Sequence, residues 1–146
     1  MGDLSMKWWF LLTAISFYIC IQDIRLRKIS NKSCVVVGSI CLILSINQAN
    51  YSIIPYTITI FIFGFILFLF RIIAAGDIKL ISAFSIAIDP QYILLTLICV
   101  LFLGGLVAFF QIIWLRVTRK SLNDSLGVPY GVPICIGCLL GIAASI

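Results

Sequence analysis

Arg71-Ile-Ile-Ala-Ala-Gly-Asp-Ile-Lys-Leu80 sets one carboxyl, Asp77, beside a glycine, Gly76, inside an otherwise apolar chain. It follows the uncharged run from Ile53 to Phe70, whose length and bulky side chains predict a transmembrane helix. It precedes a shorter apolar run, Ile78 to Ile88, closed by the turn signal Asp89-Pro90. An ionisable side chain held away from water in lipid costs at least about 2.5 kcal/mol and marks a functional site by default. The chain has only five acidic residues, all aspartates (Asp3, Asp23, Asp77, Asp89 and Asp124), so each needs either solvent or a task.

The composition agrees with this reading. Of 146 residues, 63% are hydrophobic, 10% are charged and none is histidine, far from the balance of soluble domains. No polar linker separates two cores, so residues 1–146 are expected to form a single transmembrane domain. The net charge of +5 does not imply nucleic acid, because the basic residues sit between apolar runs, where membrane orientation places them. The first apolar run, Trp8 to Ile21, has no small-residue cleavage site before Gln22 and is expected to remain as a helix. The six cysteines lie in apolar stretches and read as small hydrophobes. Cys135 and Cys138 form a lone Cys-x-x-Cys without histidine, so neither a metal nor a cofactor is expected.

Further runs span Ser33 to Ile46, Tyr92 to Leu115 and Val132 to Ile146, the last with Gly137 and Gly141 at the spacing that suits close helix contact. The expected fold is all-α and polytopic, a bundle of about six transmembrane helices with a short fourth helix. If the first helix runs from outside to inside, every basic residue except Lys7 falls on the cytoplasmic side, which places both termini on the outer face of a cytoplasmic membrane. Asp23, ending helix one, and Asp77, beginning helix four, then share the cytoplasmic face.

Two carboxyls held close share one proton and titrate as a unit. The ionised member can take a proton from a water placed between them while the protonated member polarises a scissile carbonyl. Without histidine or glutamate, no serine, cysteine or metal-hydrolase set is available. Gly76 would let substrate backbone approach the acid and adopt dihedrals closed to other residues. Structural roles also fit these residues: Asp23 as a solvated loop charge, Asp77 as an N-cap, and Lys79 as a snorkelling anchor. The basic segment from Arg25 to Lys32 serves equally as an orientation signal. Asp3, Asp89 and Asp124 read as solvated loop charges, and Tyr130 as an interfacial anchor. A proton- or cation-coupled transporter would use the same aspartates in a polar cavity, and a non-catalytic assembly subunit would not need them.

Asp23-Ile-Arg-Leu-Arg-Lys-Ile-Ser-Asn31 resembles the Asp…Arg-x-Arg-Arg-Ile-Pro-Asn segment of type IV prepilin leader peptidases. Ala74-Ala-Gly-Asp-Ile-Lys-Leu80 resembles their Gly-x-Gly-Asp-x-Lys-Leu motif, and Val128-Pro-Tyr-Gly-Val-Pro133 with Gly137 is similar to their proline and glycine signature before the last helix. The resemblance implies a membrane aspartic endopeptidase that removes the basic leader from prepilin or pseudopilin precursors at the cytoplasmic face. It implies Asp23 and Asp77 as catalytic residues, with Gly76, Lys79, Arg27 and Asn31 as supporting or substrate-binding positions. The chain leaves no room for the cysteine-bearing methylation domain of larger members, so it resembles the short, peptidase-only form of tight-adherence pilus systems. Ala74 stands where the motif has its first glycine, and Ser30 where it has proline.

Overall fold

A computed structural model of the chain describes residues 3–48, 51–117 and 128–145. Among these residues there are no strands. The elements are α1 (Asp3–Leu26), α2 (Asn31–Asn47), a 3₁₀ turn (Tyr51–Ile53), α3 (Ile54–Leu69), α4 (Ala75–Ser85), α5 (Pro90–Val117) and α6 (Gly131–Ser145). Each expected apolar run corresponds to one helix. Met6–Leu26 and Pro90–Trp114 are long and apolar enough to cross a membrane, whereas α2, α3 and α6 are shorter apolar helices.

Two boundaries differ from the sequence reading in ways that matter for the site. Helix α1 continues past Ile21 to Leu26, because Asp23-Ile-Arg-Leu holds no helix breaker and Arg25 suits the negative end of the helix dipole. Asp23 is therefore a helical residue. Helix α4 keeps the expected 11 residues but begins at Ala75 and ends at Ser85. Its N-cap is Ala74, not Asp77, which lies in the first turn, where a carboxylate favours the helix start.

The other caps are local. Ser30 caps α2, its Oγ accepting from the Ser33 N–H at 3.2 Å. Asp89 is half-exposed and also caps α5: its Oδ1 accepts from the Gln91 N–H at 3.1 Å across Pro90, and its own N–H donates to Ser145 Oγ at 2.9 Å. Asp124 lies outside the described residues. At the end of α3 the Ile72 N–H reaches Leu67 O (3.0 Å) and the Arg71 N–H reaches Phe68 O (2.8 Å), a Schellman closure with Arg71 at φ 59°. Arg27 closes α1 similarly at φ 52°, its N–H donating to Asp23 O at 2.9 Å. Side chains other than glycine pay about 1 kcal/mol in this left-handed region. Arg71→Gly is therefore expected to raise stability by about 0.5–1 kcal/mol, read as a higher midpoint of thermal unfolding in detergent.

Four helices, α1, α2, α4 and α6, pack in a closed ring in that order, with α3 outside on α4 and α5 outside on α6. The inward face of α1 is the stripe Leu12, Ser16, Ile19 and Asp23, spaced four, three and four residues apart, all buried. Leu44 and Val37 of α2, Leu80 and Phe84 of α4, and Ile134 and Ile142 of α6 fill the interior. Cys34, Cys41, Cys135 and Cys138 are buried among them as free thiols. The seam between α5 and α6 is the most extensive in the fold. A Cβ on Gly137 would lie 2.5 Å from Val100 Cγ2, and one on Gly141 would overlap Thr96, so both glycines are needed for this approach. By contrast, α3, the most apolar helix, buries none of its residues.

Candidate functional site

The end of the ring formed by the C-terminus of α1 and the N-termini of α2, α4 and α6 carries the polar chemistry. Asp23 closes the inward stripe of α1 and is only 6% exposed. Its Oδ2 accepts from the backbone N–H of Gly131, the first residue of α6, at 2.7 Å. The N–H groups of a helix's first turn have no partners within the helix, and that end carries partial positive charge, so a carboxylate is well placed there. A solvated loop role for Asp23 is thereby excluded. Gly131 also explains how near the acid can come: a Cβ on it would lie 2.8 Å from Oδ2 and 3.0 Å from Cγ of Asp23.

Asp77 sits at the head of α4, the helix diagonal to α1 across the ring. It is partly buried and lies within reach of the charge on Asp23. The fold thus brings the two aspartates to one end of the bundle from opposite corners. Their segments are joined at two further points. Gly76 packs on the α1–α2 connection, where a Cβ would sit 3.3 Å from Ile29 Cβ. Lys79 Nζ donates to Asn31 Oδ1 at 3.0 Å.

Several expectations change in detail. The open side of Gly76 faces Ile29 of this chain rather than a substrate, and its backbone adopts no positive φ, so close packing is its reason for being glycine. Lys79 is exposed but bound to Asn31, which makes it a link between α4 and α2 as well as a cation at the bundle end. Ala74 is extended, with φ −75° and ψ 145°, a conformation open to any residue, so the missing glycine costs nothing in backbone strain. Ser30 has φ −76°, within the range that proline fixes, and serves as a cap in its place. Arg27 is partly buried and shapes the turn after Asp23 through its left-handed backbone.

Sequence reasoning missed the backbone N–H of Gly131 as a partner of Asp23. The only signal was Pro129-Tyr-Gly131 just ahead of an apolar run, which gives a turn and a helix start but not what the helix start faces. Tyr130 is also more than an interfacial anchor. Although 41% exposed, its ring lies against Gly104 of α5, where a Cβ would be 2.8 Å from Tyr130 Cε1. That contact holds the residue next to Gly131.

No curated protein and no solved structure matches the chain. A family model described as the type IV leader peptidase family matches residues 10–109, from within α1 to within α5, including both Asp23 and Asp77. With more than half of its length so matched, the chain belongs to the type IV leader peptidase family.

Proposed function

We propose that the chain is a membrane aspartic endopeptidase that removes the basic leader from prepilin or pseudopilin precursors, with Asp23 and Asp77 activating water between them. The observation that supports this reading is the placing of both aspartates at one end of the helix ring, Asp23 anchored to the head of α6 and Asp77 in the first turn of α4. One carboxylate takes the proton of a bound water while the other, protonated, polarises the carbonyl of the bond to be cut. Gly76 and Asn31 with Lys79 keep the two acid-bearing segments in register, and Arg27 shapes the turn after Asp23. Residues 1–146 act as one domain of six membrane helices, with both termini outside and the aspartates toward the cytoplasm, as the distribution of basic residues favours.

In this arrangement the precursor's apolar helix stays in the bilayer and its basic leader extends into the cytoplasm, so the junction between them lies at the depth of the aspartates. The test is co-expression in membranes with a precursor that carries a basic leader, a glycine junction and an apolar helix. A single cut just before the apolar helix is expected, and none in the same helix without the leader. Absence of any cut, or equal cutting of both, would refute the reading.

A further inference from the structure

We propose that the cleft between α2, α3 and α4 is a binding site for an anionic phospholipid, with the headgroup phosphate on Lys79 and the acyl chains along α2 and α3. The cleft measures about 560 Å³ and runs from Asn31 and Lys79 past Gly38, Ser82 and Ala83 to Ile86, walled by residues such as Val35 and Phe61. Val35 and Phe61 are exposed, so the cleft opens sideways, where a bilayer would lie. This goes beyond proteolysis and needs only that the chain resides in a membrane.

No aspartate lines the cleft. Ser82 and Ala83 lie three and four residues after Lys79, on the same face of α4, with the C-cap Ile86 one turn further on, whereas Asp77 precedes Lys79 by two positions, roughly 200° around the helix. Lys79 thus presents its ammonium to the cleft on the face of α4 that points away from Asp77. Basic pockets between membrane helices on the cytoplasmic side bind lipid headgroups, and at this cleft the phosphate oxygens would accept from the Lys79 ammonium as Asn31 Oδ1 does.

A second feature decides what fills the cleft. Ser82 is 8% exposed, and its Oγ has no hydrogen-bond partner, a loss of about 1–3 kcal/mol for a buried hydroxyl. It lies one turn below Lys79, about 4.5 Å along the axis. In a glycerophospholipid the ester carbonyls occupy the layer just beneath the phosphate and have free lone pairs. With its hydroxyl turned into the cleft that it lines, Ser82 can donate to a lipid ester carbonyl while the phosphate meets Lys79. A neighbouring apolar helix cannot accept in this way, because its backbone carbonyls are bonded within the helix. Gly38 and Ala83 keep the floor shallow: a Cβ on Gly38 would rest 3.7 Å from Ala83 Cβ, leaving space for a chain above them.

The experiment uses the full chain purified in neutral detergent, with native mass spectrometry against dioleoyl phosphatidylglycerol and dioleoyl phosphatidylcholine. Phosphatidylglycerol is expected to bind at least about fivefold more tightly, the worth of one cation at a lipid headgroup. Lys79→Gln should remove the preference and Lys79→Arg should keep it. Ser82→Ala should weaken both lipids alike, as should Ala83→Phe, which fills the floor. Tailless glycerol phosphate should not bind. Equal affinity of the wild-type chain for the two lipids would overturn the proposal without any variant. Retained preference in Lys79→Gln, glycerol phosphate binding as tightly as lipid, or a protein dimer that excludes lipid would each overturn it as well.

Discussion

Asp23→Asn and Asp77→Asn are each expected to lower precursor cleavage by at least about a thousandfold, the scale on which a positioned acid or base acts, while both proteins still accumulate in membranes. Asparagine is the informative substitution at position 23. The introduced amide oxygen can still accept from the Gly131 N–H, now held by Asp23 at 2.7 Å, so the α1–α6 junction survives and only the chemistry is lost. Asp23→Ala differs, because it leaves that N–H unpaired at a buried helix start and should cost a further 1–3 kcal/mol or so in stability. At position 77 the carboxyl caps nothing, since Ala74 is the N-cap. Asp77→Asn should therefore shift the unfolding midpoint less than Asp23→Ala does. Near-normal processing by either asparagine variant would remove the two-aspartate mechanism. If ion flux in proteoliposomes instead depended on Asp77, with no peptide product, the transporter reading would take its place.

These expectations rest on features of unequal visibility in the sequence. Six apolar runs separated by charged or turn-forming segments were legible because each of the six helices carries its own apolar stretch. The stripe Leu12, Ser16, Ile19 and Asp23 lay in the sequence at helical spacing, but its register could be used only once α1 was known to continue to Leu26. Periodicity alone ended that helix at the first polar residue. The start of α4 was misplaced for the related reason that Ala75-Gly-Asp77 reads as a linker until an extended Ala74 defines the helix start. Contacts between distant segments were not legible at all. Nothing in Gly131 announces Asp23 as its partner, and Gly76 gives no sign that Ile29, rather than a substrate, occupies its open side. A glycine signals close approach; only the fold says of what.

Gly131→Ala is expected to lower cleavage by about a hundredfold, the scale on which misplacing a reacting group by about 1 Å acts, and to destabilise the fold by about 1–3 kcal/mol through overpacking. The added methyl would lie 2.8 Å from Oδ2, 3.0 Å from Cγ and 3.1 Å from Cβ of Asp23. Rotation about the side-chain bonds moves the first two atoms but not the third, which is fixed on α1. The helices must therefore part, and the carboxylate loses both its hydrogen bond and its position relative to Asp77. Gly131 adopts no positive φ, so backbone strain adds nothing and the effect should grow with side-chain size, making Gly131→Val worse. Gly105→Ala supplies the control, because nothing lies within 4 Å of its Cβ position and the substitution suits a helix. Stability measured in Gly131→Ala, Asp23→Ala and the double variant separates the causes. Both single variants lose the same Gly131–Asp23 hydrogen bond and the double variant loses it once, so the double variant should be more stable than the sum of the single losses predicts. Strict additivity, or full activity of Gly131→Ala, would mean that the seat of Asp23 on α6 is not what positions it.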